Sequence, residues 1–186
     1  KGVPAALYGA FAGELVRSRT FRRRYTPDRS GPATVLASMN TILYERQLEE
    51  YYCTLLYAVF DFKRRTVTLA NSGVPYPIRK AADGSAAYQI ELPGVPLGSF
   101  SGSNYDEVQL DLAPGDLFVF CTDGVTEAID PLMREFTAER LLAVVERLAA
   151  EPARVIVDGI FAAVQEFRGE MTPNDDMTAV VLRITA

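Results

Sequence analysis

Two acidic sites lie beside strand-like apolar runs in this chain of 186 residues. Asp123 follows a run that ends at Cys121 and Thr122, and Asp175 and Asp176 precede an apolar run at residues 177–184. If the two runs are antiparallel neighbours, Asp123 and Asp175 converge at one edge of a sheet. Two close carboxylates repel each other unless a positive charge lies between them. The alternative is that both sites are ordinary polar turns without chemistry.

The chain contains no histidine. This absence excludes Ser-His-Asp triads, histidine general bases and histidine metal sites among these residues. The natural counter-charge for paired carboxylates is then a hard cation such as Mg²⁺ or Mn²⁺, which prefers oxygen ligands. Such ions activate water and polarise phosphoryl oxygens.

Composition excludes several other classes of function. The net charge of −5 argues against a nucleic-acid-binding protein that depends on phosphate contacts. No apolar run approaches the roughly 18 residues that indicate a transmembrane helix. Cys53 and Cys121 both lie in apolar runs, which predicts core thiols in a reducing compartment such as the cytoplasm, not a disulfide.

The run at residues 117–121 is the central element of the predicted fold. It is apolar at all five positions, which is typical of a strand buried on both faces. A turn signal at residues 113–116 precedes it, and Asp123-Gly124 ends it. The strand therefore presents a carboxylate where it emerges, and the glycine allows the backbone to turn sharply.

The remaining periodicity predicts helices at both ends and strands between them. Helices are predicted at 4–19, 32–50, 138–149 (capped by Thr137) and 152–167, with a short turn at 125–129; strands are predicted at 52–61, 66–71, 76–80, 88–92, 107–112, 117–121 and 177–184. The strand at 52–61 is expected to be central because it is apolar nearly throughout. Short strands joined by turns imply antiparallel pairing. This order predicts an α+β fold.

Five stretches together resemble the metal-dependent protein phosphatase (type 2C, PPM) superfamily, and within it the bacterial branch of sporulation stage II protein E and sigma-factor regulator phosphatases. They occur in that family's order and span the chain. They are residues 1–7, Asn71-Ser72-Gly73, Pro96-Leu97-Gly98, residues 122–128 and residues 175–178.

The resemblance implies a single domain over residues 1–186 with an α-β-β-α sandwich of two antiparallel sheets flanked by helices. It also implies a serine/threonine phosphatase in which a binuclear Mg²⁺/Mn²⁺ site activates the water that attacks the phosphoester directly. Asp123 and Asp175 would be the catalytic metal ligands, with Gly124, Asp176 and Thr178 supporting them. The implied partners are a phosphorylated anti-sigma-factor antagonist, an upstream sensory domain and a second copy of the chain.

The chain departs from the family pattern in two places. The family's first metal-binding aspartate and its Gly-Asp-x-Ser-Gly segment would lie upstream of Lys1, so the fold is expected to miss its N-terminal strands. Val74 also stands where the family commonly has a histidine that is not a metal ligand. The alternative function is therefore a catalytically inactive, phosphatase-like interaction or dimerisation module.

Overall fold

The computed structural model describes residues 9–10, 13–14, 17, 31–45 and 52–185. In chain order its elements are α1 (Pro32–Glu45), β1 (Leu55–Asp61), β2 (Thr66–Ser72), β3 (Ile78–Lys80), β4 (Tyr88–Gln89), β5 (Glu107–Asp111), β6 (Leu117–Cys121), α2 (Asp123–Thr126), α3 (Thr137–Leu148), α4 (Ala153–Arg168) and β7 (Ala179–Arg183). The predicted helix at 4–19 lies mostly outside the described residues, although the described residues within it are helical. Residues 46–50 of the second predicted helix also lie outside them.

These elements form two compact units, each built from two separate stretches of chain. The first unit contains Lys1–Val74 and Leu92–Asp111. Its sheet has the order β1-β2-β5, and both pairings are antiparallel. One face of α1 (Val35, Leu36, Met39 and Leu43) forms a buried cluster with Ala70, Leu97 and Tyr105. The helical spacing that predicted α1 therefore reflects core packing.

The second unit contains Pro75–Glu91 and Leu112–Ala186. Its sheet has the order β4-β3-β6-β7, again antiparallel throughout. The buried faces of α3 and α4 share one apolar cluster with residues of β3 and β6. The α+β prediction with two antiparallel sheets and helices is thus confirmed.

Strand β6 is buried on both faces, as its sequence predicted. Leu117, Phe118 and Val119 are at most 1% exposed, although their side chains alternate between the two faces of the sheet. The strand has hydrogen-bonded neighbours on both sides, β3 and β7. A strand in this position cannot shift without breaking its hydrogen bonds to both neighbouring strands. The backbone that leads into Asp123 is therefore held rigidly.

Strand β1 does not occupy the predicted central position. In the described part of the chain it lies at one edge of its sheet, and every one of its residues is only half-buried. Its apolar composition misled the prediction because half-burial on both faces also favours apolar side chains. The actual central strand is β2, where Val67, Leu69 and Ala70 are fully buried.

Several element ends differ from the predicted ones. The strands predicted at 76–80 and 88–92 shorten to Ile78–Lys80 and Tyr88–Gln89. Thr137 does not precede α3 as its cap: the helix begins at Thr137 itself, whose φ is 67°, and the residue before it, Phe136, makes no side-chain capping bond. Local patterns place such ends only to within a few residues. Among the described residues, no helix has both the length and the apolar character needed to cross a bilayer.

Candidate functional site

The pairing of β6 with β7 places the two acidic segments side by side. The register puts Cys121 opposite Ala179, so the chain leaving β6 runs beside the chain entering β7. Beyond the last pair, the Thr122 N–H donates to the Thr178 carbonyl at 3.0 Å, and the Thr178 N–H donates to Thr122 Oγ1 at 2.9 Å. The two strands are therefore antiparallel neighbours, which is the condition on which the convergence of the acidic segments depended.

Asp123 begins the short helix α2 and is exposed to solvent. Its Oδ1 accepts a hydrogen bond from the Gly124 N–H at 2.9 Å, which orients the carboxylate along the start of the helix. Its carbonyl accepts from the Glu127 N–H at 2.8 Å and from Thr126 Oγ1 at 3.2 Å. The backbone at Asp123 is therefore held on one side by the strand and on the other by the helical turn, while its side chain stays open to solvent.

Asp175 and Asp176 lie on the facing segment, and both are exposed. Asp175 Oδ1 accepts from the Asp176 N–H at 2.8 Å, and the Asp176 carbonyl accepts from Thr122 Oγ1 at 3.2 Å. The same segment is tied again through Asn174, whose Nδ2 donates to the Glu127 carbonyl at 3.0 Å. Side-chain hydrogen bonds from Thr122 and Asn174 thus connect it to the chain on either side of Asp123.

Gly124 is the point of closest approach between the two segments. A Cβ on this residue would lie 2.4 Å from the Asp176 carbonyl oxygen and 3.4 Å from the Asp175 carbonyl carbon. Only glycine allows backbone segments to come this close. The sequence predicted a sharp turn at Gly124; the structure adds that its missing side chain lets the Asp175-Asp176 backbone pack against the start of α2.

The nearby thiol of Cys121 does not offer a ligand of a different kind. Burial, and secondarily the negative charge of Asp123, raise the pKa of Cys121 to about 11. The side chain is 8% exposed and belongs to the buried apolar cluster of the second unit, so it is a core thiol and not part of the exposed edge. The exposed metal-binding atoms at this end of the sheet are therefore carboxylate oxygens, in agreement with the absence of histidine from the chain.

This donor set fits a hard divalent cation in kind. Exposed carboxylates with room for water are what Mg²⁺ and Mn²⁺ use in proteins. Within the described ranges, no group of three or more histidine, cysteine, aspartate or glutamate side chains is arranged to hold an ion. Asp123 and Asp175 would thus supply part of a coordination shell, and water or further residues the rest.

Two other predicted motif stretches lie in the first unit and have visible structural roles. Asn71 is 1% exposed. Its Nδ2 donates to the carbonyls of Val74 and Leu92 at 2.8 and 2.9 Å. The Gly98 N–H donates to Oδ1 of the buried Asn40 at 2.9 Å. These contacts hold loops of the first unit; the motif at residues 1–7 lies outside the described residues.

Sequence reasoning did not single out the buried polar anchors of the second unit. Asp116 and Asp130 are 1% and 3% exposed, and each carboxylate accepts hydrogen bonds from two or more backbone N–H groups. The available signal was weak: Asp116 closes a Pro-Gly turn, and Asp130 precedes a proline.

Residues 1–185 of the chain match the protein family described as Stage II sporulation protein E (SpoIIE). The chain is 25% identical to the phosphoserine phosphatase RsbU of Bacillus subtilis (strain 168); the match covers 98% of this chain and 52% of that protein. The chain thus spans about half the length of this curated relative.

Two solved structures share the fold. The RsbU and RsbW domains of a Mycobacterium tuberculosis protein match with a TM-score of 0.78 and 22% identity, covering 100% of this chain and 49% of that one. The phosphatase domain of SpoIIE from Bacillus subtilis, presoaked with Mn, matches with a TM-score of 0.64 and 21% identity, covering 92% and 74%. At these identities the likeness shows the fold.

Proposed function

The chain belongs to the stage II sporulation protein E family, and from that premise we propose that it is a protein serine/threonine phosphatase that depends on Mg²⁺ or Mn²⁺. The observation that carries the proposal is the β6–β7 register, which brings the segments of Asp123 and Asp175 together at one end of a sheet. The name phosphoserine phosphatase, given to the RsbU relative, supports this reaction class. The Mn presoak of a relative with this fold supports the cofactor.

Asp123 and Asp175 are the residues that would hold the cation through their carboxylates. The bound ions supply an activated water and a positive charge that polarises the phosphoryl oxygens. The chain's own part is to hold the two carboxylates in place before substrate arrives. Thr122 and Thr178 fasten the two strands where they end, Gly124 permits the close approach, and Asp176 contributes its backbone to that contact.

The proposed domain covers residues 1–186. The family match runs without a break over residues 1–185, which supports one phosphatase domain containing both compact units. Each unit is built from two stretches of chain, so a cut at any single position would not separate them cleanly.

The proposed substrate is a phosphorylated anti-sigma-factor antagonist in a bacterial signalling pathway. The relation to RsbU, and the joining of RsbU and RsbW domains in the Mycobacterium tuberculosis structure, support a partner from that regulatory group. The free thiols of Cys53 and Cys121 favour a reducing compartment. We therefore propose that the protein is located in the cytoplasm. An upstream sensory domain and a homodimer complete this proposal.

The deciding experiment measures Mn²⁺-dependent hydrolysis of para-nitrophenyl phosphate and of a phosphoserine protein by the full-length protein. Asp123→Asn and Asp175→Asn are expected to lower turnover at least about a hundredfold, since each removes a charged ligand at the reacting centre. Mn²⁺ binding, followed by calorimetry, should weaken in both variants. Asp158→Asn, an exposed aspartate on α4, is the matched control and should change neither quantity.

Wild-type turnover that needs Mn²⁺ and survives Asp123→Asn would refute the assignment of this residue. A folded full-length protein that neither binds Mn²⁺ nor hydrolyses either substrate would instead favour the phosphatase-like interaction module.

A further inference from the structure

A short hairpin at residues 128–136, called here the 128–136 hairpin, follows α2 and is rooted in the core of the second unit. The Phe136 N–H donates to the Ala128 carbonyl at 2.8 Å, and Ile129 and Glu135 form an antiparallel bridge. Ala128 and Phe136 are 1% and 3% exposed. The Phe136 ring meets the Phe167 ring edge to face at a centroid distance of 5.5 Å. The base of the hairpin is therefore immobilised by packing.

Asp130 holds the tip of the hairpin from within. Its Oδ1 accepts from the N–H groups of Leu132 and Arg134, both at 2.9 Å. Its Oδ2 accepts from Arg134 Nε at 2.7 Å and pairs with Arg134 Nη2 at 2.6 Å. The buried carboxylate thereby fixes the conformation of four consecutive residues. A loop organised in this way loses little conformational entropy when it binds a partner.

The tip directs two large apolar side chains into solvent. Leu132 is 71% exposed and Met133 is 70% exposed. Met133 also has a φ of 60°, in the left-handed region that bulky residues rarely adopt. Strained backbone that the surrounding structure enforces is typical of functional segments. At Met133 this backbone carries a long, exposed apolar side chain at a position that glycine would occupy without strain.

The hairpin is continuous with the proposed catalytic edge. Glu127, which leads directly into it, donates its N–H to the Asp123 carbonyl at 2.8 Å. The Glu127 carbonyl accepts from Nδ2 of Asn174, the residue before Asp175, at 3.0 Å. The residue at the foot of the hairpin is thus bonded to both acidic segments. A molecule seated on the hairpin would lie beside the site where a phosphoester is attacked.

We propose that the 128–136 hairpin is a docking surface for the phosphorylated protein substrate, an inference that rests on the phosphatase function proposed above. Leu132 and Met133 offer nothing to a small charged phosphoester, but they match an apolar patch on a folded protein. The side chain of Arg134 is 63% exposed and flanks this patch, with its charge balanced by the ion pair to Asp130. The hairpin therefore selects protein substrates, while the carboxylates at the sheet edge would hold the cation that supports hydrolysis of the phosphoester.

The test uses the double variant Leu132→Ser/Met133→Gly of the full-length protein. The Met133→Gly change suits the backbone, because glycine adopts a φ of 60° without strain. Binding of a phosphorylated anti-sigma-factor antagonist is measured in an Asp123→Asn background, so that it needs no turnover. Hydrolysis of para-nitrophenyl phosphate and light scattering are measured without that substitution. The control is Phe62→Ser, which removes a 64% exposed aromatic side chain from the β1–β2 turn.

The double variant should raise the Kd for the phosphorylated antagonist at least about tenfold, as expected when a buried apolar anchor is lost. Hydrolysis of para-nitrophenyl phosphate and the Tm should stay unchanged, and Phe62→Ser should alter none of the three. An unchanged Kd would overturn the docking role. The docking role would also be overturned if hydrolysis of para-nitrophenyl phosphate fell by the same factor as the affinity for the antagonist. The hairpin would then be required for the structure of the catalytic site.

Conversion of a wild-type dimer to a monomer by the double variant would also overturn the proposal, since the hairpin would then bind a second copy of the chain. Failure of the wild-type protein to hydrolyse para-nitrophenyl phosphate with Mn²⁺ counts against the phosphatase function alone. In that case the binding measurement still decides whether the hairpin docks the antagonist.

Discussion

Replacing Gly124 by alanine tests the proposed site without touching any charged group. The new Cβ would lie 2.4 Å from the Asp176 carbonyl oxygen, whereas ordinary contact begins at 3.4 Å. The obstructing atom belongs to the backbone and cannot rotate away as a side chain would. The segment of Asp175 and Asp176 must therefore move about 1 Å from the start of α2.

A displacement of this size has a large expected effect on turnover. Misplacing reacting groups by about 1 Å can lower the rate about a hundredfold, which corresponds to about 2.7 kcal/mol of transition-state stabilisation. The same clash should lower the free energy of unfolding by about 1–3 kcal/mol, as overpacking commonly does. The side chains of Asp123 and Asp175 remain present, so the loss would come from their changed separation.

The assay is Mn²⁺-dependent hydrolysis of para-nitrophenyl phosphate, measured beside urea denaturation of the same full-length protein. Gly159→Ala is the matched control. Its Cβ would meet only Leu148, with Cδ1 at 2.3 Å and Cγ at 3.7 Å, and the close atom ends a flexible side chain that can change rotamer. The control gains helix propensity on α4 and should keep both stability and activity near those of wild type.

Activity of Gly124→Ala within about threefold of wild type would refute the argument that the close approach at Gly124 sets the geometry of the site. The argument would also be refuted if Gly124→Ala and the control Gly159→Ala lost the same fraction of wild-type activity. If activity falls only in proportion to the unfolded fraction at the assay temperature, the residue supports folding alone.

Three further predictions concern buried contacts. Gly94→Ala should lower the free energy of unfolding by about 3 kcal/mol in urea denaturation, because its Cβ would lie 1.9 Å from the Asn71 carbonyl oxygen. Asp116→Ala removes a 2.8 Å ion pair to Arg79 at a site where Asp116 is 1% exposed, and should cost about 3–5 kcal/mol by the same measurement. Burial raises the pKa of Asp130, but hydrogen bonds from the backbone and side chain of Arg134 outweigh it and lower that pKa below its ordinary value of 3.8. The Asp130 carboxylate therefore stabilises the folded protein above about pH 4, and this stabilisation is lost as the pH falls through the pKa of the folded state. In the Asp130→Asn variant, the free energy of unfolding should consequently fall less steeply with acidification than in wild type.

The results that would contradict these predictions are equally specific. For Gly94→Ala, an unchanged urea midpoint would show that the loop moves freely away from Asn71. For Asp116→Ala, a loss below about 1 kcal/mol would mean that water replaces the carboxylate. For Asp130→Asn, an acid limb parallel to that of wild type would show that the carboxylate is no more acidic in the folded protein than in the unfolded one.

Much of the site's chemical character was predictable from local sequence. The apolar run of β6 indicated a strand buried on both faces, and Asp123-Gly124 indicated where it ends. Without histidine, the two acidic segments offer carboxylate oxygens, which are the donors that hard cations bind. These features depend on residue type and short spacing, which is the information that a sequence carries directly.

Other parts of the molecule depend on contacts between residues far apart in the chain. The composition of β1 suggested a central strand, yet β1 lies at a sheet edge among the described residues, because apolar character does not specify which strands are neighbours. No local pattern predicted a structure for residues 130–136 of the 128–136 hairpin. Its importance appears only when Asp130 is seen to be buried and Leu132 and Met133 are seen to be exposed.

By itself, the sequence determined the α+β class, the ends of the buried strand β6 and the oxygen-only chemistry of the two acidic segments. The tertiary structure decided that Cys121 pairs with Ala179, and hence that the segments carrying Asp123 and Asp175 lie side by side. It also decided that Gly124 meets the Asp176 carbonyl. The physical reason is that strand register is a long-range property: it follows from hydrogen bonding and packing between segments more than 50 residues apart, such as the bond from Thr178 to Thr122, and no local periodicity encodes that pairing.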